Sequence, residues 1–148
     1  MTPVAETRVL TIGTFDLLHF GHVDFLRQCG RLGTSLAVGV NSDEFAATFK
    51  DPPVLDEDER MHATGQLGYR VHLNTSPGRE LIDRVTPDVL AVGSDWARKD
   101  YLAQIDVTQT WLDARKIILA YVPYVQMHAI STTEIKRRMR QKWLGQTA

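Results

Sequence analysis

The stretch "GTFDLLHFGH", Gly13–His22, joins the apolar run Arg8–Ile12 to a helical pattern in which Val23, Phe25, Leu26, Cys29 and Leu32 recur at helix spacing. A short apolar strand, a glycine-led loop and an amphipathic helix in direct succession read as the first half of a βα unit. Gly33 marks where that helix stops. Two histidines, His19 and His22, stand at the mouth of the helix around Phe20-Gly21, where they add little helix propensity and nothing to a core.

The same alternation runs on. "SLAVGVN" (Ser35–Asn41) is a nearly continuous apolar strand, followed by a short helix over Asp43–Phe49 and a loop, "KDPPV", broken by Pro52 and Pro53. Acidic residues Asp56–Glu59 open a further helix, where a positive helix end favours them. "RVHLN" reads as a strand, "GRELIDRV" as a helix, "DVLAVG" as a strand, Tyr101–Ala114 as a helix and "KIILAYV" as the last strand. Ser131–Trp143 forms a terminal helix, with Ser131 and Glu134 at capping-box spacing. Apolar strands separated by helices imply a parallel sheet covered on both faces. The expectation is a single α/β domain over residues 1–148: a doubly wound, mostly parallel five-stranded sheet of Rossmann-like type.

Size and composition fit that fold. A chain of 148 residues buries roughly 70% of its unfolded surface, enough for its own core. It is 43% hydrophobic and 24% charged with a net charge of -1, a balance that advertises neither disorder nor nucleic acid. One cysteine, Cys29, excludes an intrachain disulfide and a cysteine-rich zinc site. A polar start and the lack of a long apolar run predict a cytoplasmic protein with no membrane insertion.

In doubly wound sheets ligands bind beyond the carboxyl ends of the strands. Those ends carry Gly13-Thr14-Phe15-Asp16, Asn41 and Gly93-Ser94-Asp95, and the loop after the last strand leads to Ser131-Thr132-Thr133. His19 and His22, three residues apart, face the same way. Together with the Gly13 and Thr14 N–H groups, the Thr14 hydroxyl and the helix dipole, they form a pocket suited to a phosphate, and Gly21 leaves its entrance free of a side chain. Taken singly, each histidine is more simply a loop cap or a satisfied surface group, and Ser131 an ordinary N-cap. His62, His72 and His128 lie at no ligand spacing, so a zinc site is not expected.

The ordered set is more specific than its parts. "GTFDLLHFGH", "NSDEF", "KDPPV" leading to "DEDER", "VGSDW" and "ISTTEIK" together resemble the cytidylyltransferase family of nucleotidyltransferases, and within it the glycerol-3-phosphate enzymes, over nearly the whole chain. The resemblance implies direct in-line transfer from CTP to a small phosphoalcohol, giving a CDP-alcohol and pyrophosphate, with Mg²⁺ accompanying the triphosphate and a homodimer as the usual assembly. It implies catalytic roles for His19, His22 and Lys50, the last on a mobile loop. Gly13, Thr14, Phe15, Gly21, Arg60, Asp95, Ser131 and Thr132 would contact or support the nucleotide. Asp16 and Gln126 fall on the acceptor side, Asp16 orienting the loop or a histidine rather than acting as a base.

Two departures remove positive charge from the expected anion site. The family's R-T-x-G is Gln126-Met127-His128-Ala129 here, and the loop carries one lysine where two are common. A related branch transfers adenylate from ATP to a heptose phosphate with similar elements, and ethanolamine-phosphate cytidylyltransferases resemble "KDPPVLDEDER". These keep an adenylyltransferase and a silent nucleotide-binding module as alternatives. The basic run Lys136–Lys142 reads as a solvated face, with Ile135, Met139 and Trp143 on the opposite stripe as core or subunit contact. Trp96 either packs or stacks on a base, and Cys29 is expected to be buried and inert.

Overall fold

In the computed structural model, which describes residues 5–124 and 130–145, five strands form one wholly parallel sheet. They are β1 (Arg8–Gly13), β2 (Ser35–Asn41), β3 (Arg70–Asn74), β4 (Val89–Gly93) and β5 (Ile118–Val122), ordered β3-β2-β1-β4-β5. The chain moves outward from β1 through β2 to β3, then crosses back to place β4 on the other side of β1. The switch point between β1 and β4 therefore opens a crevice at their carboxyl ends. Register is in phase along β1 and β2, from Arg8 opposite Ser35 to Gly13 opposite Val40.

Because strand side chains alternate, neighbouring residues supply opposite layers. Val9, Val38, Val40 and Ala91 meet Phe25, Leu26 and Cys29 of helix α1 (Phe20–Gly30) on one face. Leu10, Leu90 and Val92 meet Leu81 and Ile82 of α4 (Arg79–Val85), Tyr101 of α5 (Tyr101–Gln104) and Leu112 of α6 (Gln109–Ala114) on the other. The doubly wound expectation thus holds. Cys29 is buried as expected, and burial raises its thiol pKa to about 12, so it stays protonated.

Several boundaries differ from the sequence reading. The helix expected over Tyr101–Ala114 is two, because Asp106 takes a left-handed φ of 56° that no helix continues through. Lys116 has the same φ, so β5 begins only at Ile118. Helix α2 is a single turn, Asp43–Ala46, and α1 ends at Gly30, leaving Leu32 exposed. Helix α3 (Glu57–Gly65) starts on a full capping box between Asp56 and Glu59. Terminal helix α7 (Thr132–Trp143) has the Ser131 cap, but Glu134 binds Arg137 and Arg138 instead of completing a box. Trp143 is exposed rather than core.

Candidate active site

The crevice holds a cavity of about 230 Å³ whose floor is Thr11–Phe15 at the end of β1. His22, Asn41, Lys50 and Asp95 bring polar groups to it, and Phe45, Phe49, Trp96, Tyr101 and Tyr124 supply aromatic walls. The histidine pair is built into the helix start. His19 is the N-cap of α1, and its Nδ1 accepts the Gly21 N–H at 3.1 Å. His22 Nδ1 in turn accepts the His19 N–H at 3.2 Å, so two imidazoles form a reciprocal capping box. With Nδ1 committed as acceptor, each neutral ring carries its proton on Nε2. His19 Nε2 is buried without a hydrogen-bond partner among the described residues.

Gly21 is required by this arrangement. A Cβ there would lie 2.8 Å from His19 Cε1, so only glycine lets the ring fold back over the cap. The rings stack 3.9 Å apart, and Phe15 meets His22 edge-on at 5.6 Å. Phe15 and Leu17 sit at φ 52° and 51°, a strained loop conformation costing on the order of 1 kcal/mol or more each. Burial, with further contributions from His19 and Lys50, lowers the His22 pKa to about 3, against the opposing pull of Asp16. Burial also lowers that of His19. The free site is therefore a pair of neutral donors, and an anion bound there would draw both pKa values upward.

Other sequence candidates fall into distinct places. Gly13 and Thr14 line the cavity floor. Arg60 lies behind it, fully buried: Nη1 donates to Thr14 O and Asn41 O at 2.7 and 2.8 Å, Nε to Leu55 O at 3.0 Å, and Nη2 pairs with Asp43 at 2.7 Å. It braces the floor and does not line the cavity. Asp16 holds the proline loop, its carboxylate accepting the Val54 and Leu55 N–H groups at 2.8 and 3.0 Å. Asp95 and Trp96 sit in a 3-10 turn over Ser94–Arg98 on the far wall, where Asp95 folds over Gly93 and Trp96 packs edge-on to Tyr101. Ser131 accepts the Glu134 N–H at 3.0 Å, and Thr132 donates its hydroxyl to Asp16 O at 2.7 Å. That bond joins α7 to the first loop and takes the Thr132 proton away from any phosphate. Gln126 lies outside the described residues.

Lys50 is shared between this cavity and a smaller basic one of about 120 Å³, lined also by Asp51, Thr133, Lys136 and Arg140. Two residues of the supposedly solvated basic run thus face the site; helical spacing from Thr133 (one turn to Lys136, two to Arg140) was the available signal. Lys136 stands 3.8 Å from Asp16. Burial and Lys136 lower the Lys50 pKa, Asp16 raises it, and Arg60 lowers it further.

Among the described residues no group of three or more His, Cys, Asp or Glu could hold a metal ion. Asp16 is occupied by two backbone N–H groups, and among the described residues Asp95 is the one carboxylate on the large cavity. Such a donor set does not make a protein cage for a divalent cation. No helix among these residues is long and apolar enough to cross a membrane.

Residues 10–138 match the family model described as Cytidylyltransferase-like. The chain belongs to the cytidylyltransferase-like family. Its relatives include the bifunctional protein HldE of Syntrophotalea carbinolica, 42% identical over 96 residues, covering 62% of this chain and 20% of that protein. HldE of Trichlorobacter lovleyi is 33% identical over 140 residues, covering 91% of this chain and 27% of that protein. The chain therefore spans about a fifth to a quarter of the length of these relatives. A solved lipopolysaccharide core biosynthesis protein from Thermoplasma volcanium has a TM-score of 0.67 at 27% identity, covering 82% of this chain and 98% of that one. A protein of unknown function from Archaeoglobus fulgidus shares the fold, with a TM-score of 0.63 at 22% identity over 84% and 94% of the two chains.

Proposed function

We propose that this cytidylyltransferase-like chain transfers a nucleotidyl group from a Mg²⁺–nucleoside triphosphate to a phosphorylated sugar, with ATP as donor. The observation that carries nucleotidyl transfer is the His19–His22 pair: both Nδ1 atoms are locked in the helix cap, His22 lines a cavity that Lys50 also lines, and the buried His19 Nε2 stands behind it without a partner among the described residues. A phosphate oxygen of the acceptor attacks the α-phosphorus, the α–β bridging P–O bond breaks, and pyrophosphate leaves with that electron pair. The nucleophile is already ionised near neutral pH, so no general base is needed. The site's work is to hold anions in line and meet the charge on the phosphoryl oxygens. In this reading Lys50, Lys136 and Arg140, which line the smaller cavity, receive the departing pyrophosphate.

The relatives support the adenylylating branch over the glycerol-phosphate one. Those named HldE point to adenylyl transfer onto a heptose phosphate, and a lipopolysaccharide core is a sugar polymer built from activated sugars. Pyrophosphate release with ATP or CTP crossed against heptose 1-phosphate, glycerol 3-phosphate and ethanolamine phosphate tests both levels. Release with ATP and heptose 1-phosphate, lost about 10²–10³-fold in His22→Ala, is the expected result. CTP with glycerol phosphate would return the chain to the cytidylylating branch. ATP binding without release from any pair would favour a binding module. A homodimer, measured by light scattering, is the expected assembly.

A further inference from the structure

Three buried polar side chains run in a line from the sheet interior to the cavity floor. Asn41 and Asn74 end β2 and β3 and are register partners across the two strands. Asn74 Nδ2 donates to Asn41 Oδ1 at 3.0 Å, and Asn41 Nδ2 donates to Thr14 Oγ1 at 3.3 Å. All three residues are at most 6% exposed. Arg60 Nη1 binds Thr14 O and Asn41 O together, so the backbones carrying the last two links are tied by one buried guanidinium.

The direction of this line has a consequence for Thr14. A hydroxyl has one proton, and a Thr14 oxygen that accepts from Asn41 keeps that proton to donate elsewhere. Were Asn41 turned over, its carbonyl would take the Thr14 proton. Its amino group would then face the Asn74 amino group, so Asn41 cannot turn over alone while Asn74 keeps its orientation. Asn74 does not line the cavity, and its own Oδ1 has no hydrogen-bond partner among the described residues. Two buried amides are costly at strand ends where apolar residues would serve the core, unless their orientation is used.

We infer that Asn74 and Asn41 are positioning residues that set the Thr14 hydroxyl as a donor to a phosphoryl oxygen in the cavity. The ligand rests on the proposed nucleotidyl transfer; the donor direction rests on the three side chains. The uncharged, similar-sized Asn74→Leu and the Thr14→Val variant form a double-mutant cycle, with Asn74→Ser as a milder variant that keeps a donor. Two readouts are taken on protein shown to be folded by its thermal melt: affinity for inorganic tripolyphosphate by calorimetry, and kcat/KM for pyrophosphate release. Asn74→Leu should weaken both about tenfold, the scale for an outer partner of a liganding group. It should add nothing in the Thr14→Val background, and Asn74→Ser should recover part of the loss. Equal losses in both backgrounds, or no loss in folded protein, would overturn the positioning role. A wild-type chain that binds neither tripolyphosphate nor ATP would instead overturn the phosphate-site reading itself.

Discussion

His22 Nδ1 accepts the backbone N–H of His19 while His19 Nδ1 accepts that of Gly21, and the two rings stack 3.9 Å apart. One nitrogen of each ring thereby finishes the helix, and under the proposed function the other is left to donate to a phosphate. The cap readings and the phosphate reading of these histidines, which compete in the sequence, are compatible in the structure.

The pair makes stability depend on pH in a defined direction. His22 titrates near 6.5 when unfolded and at about 3 in the fold, so the unfolded state binds the extra proton between those values. Its contribution to stability is complete above pH 6.5 and is lost as pH falls toward 3. Thermal melts of the ligand-free protein should show the loss between pH 6.5 and 4. His22→Asn keeps an acceptor near the Nδ1 position but has no proton to gain, so its melting temperature should fall less over that range. Parallel slopes for both proteins would mean that other groups carry the pH dependence.

Gly21→Ala should affect function more than folding. The added methyl would need the space of His19 Cε1 and Nδ1, at 2.8 and 2.9 Å, so the ring must leave the cap. Losing an N-cap bond costs about 1 kcal/mol, while displacing a phosphate donor costs about 10²-fold in turnover. A melt and a rate measured on one preparation separate the two. Near-normal turnover would show that the His19 ring position is not needed.

The sheet was legible because its inner strands β1, β2 and β4 are buried on both faces and so read as apolar runs, and because Asp56, Ser42 and Ser131 are ordinary cap residues at helix starts. The break at Asp106 was not: Tyr101, Ile105 and Leu112 are all buried and keep a helical rhythm across it. Nor do Phe15 and Leu17 announce a left-handed backbone, which bulky residues rarely adopt. The motif residues of the site could be named from sequence, but not the division of labour among them. The resemblance gives Arg60 as an arginine that contacts or supports the nucleotide site, without saying which. Its four hydrogen-bond partners in the fold (Thr14, Asn41, Leu55 and Asp43) give it the supporting part, as a brace behind the cavity floor.

That brace predicts a large stability effect. Arg60→Met would leave the carbonyls of Thr14, Asn41 and Leu55 without their donor in a buried setting and strip Asp43 of its partner. Loss of about 3 kcal/mol is expected, mostly from the buried carbonyls left without a donor, since the Asp43 side chain is 45% exposed and keeps its solvation. Urea unfolding should show a lower midpoint with little change in slope. A change under 1 kcal/mol would mean that the floor of the cavity holds its shape without the guanidinium.

Lys50 offers a signed test of the two charges that flank it. Asp16 raises its pKa, while Lys136 and Arg60 lower it, on top of the burial that is the largest effect. If the Lys50 ammonium is needed for turnover, the alkaline limb of the rate profile follows its deprotonation. Asp16→Asn removes the charge that favours the ammonium, so that limb should move to lower pH. The amide still leaves one acceptor for the Val54 and Leu55 N–H groups, so the proline loop stays partly tethered. Lys136→Met removes a like charge and should move the limb to higher pH, even though the maximal rate falls with loss of a basic group from the smaller cavity. Loosening of the loop would lower the rate in both variants without moving the limb in opposite directions. Opposite shifts therefore identify Lys50 as the titrating group, and shifts of the same sign would assign the alkaline limb to another residue.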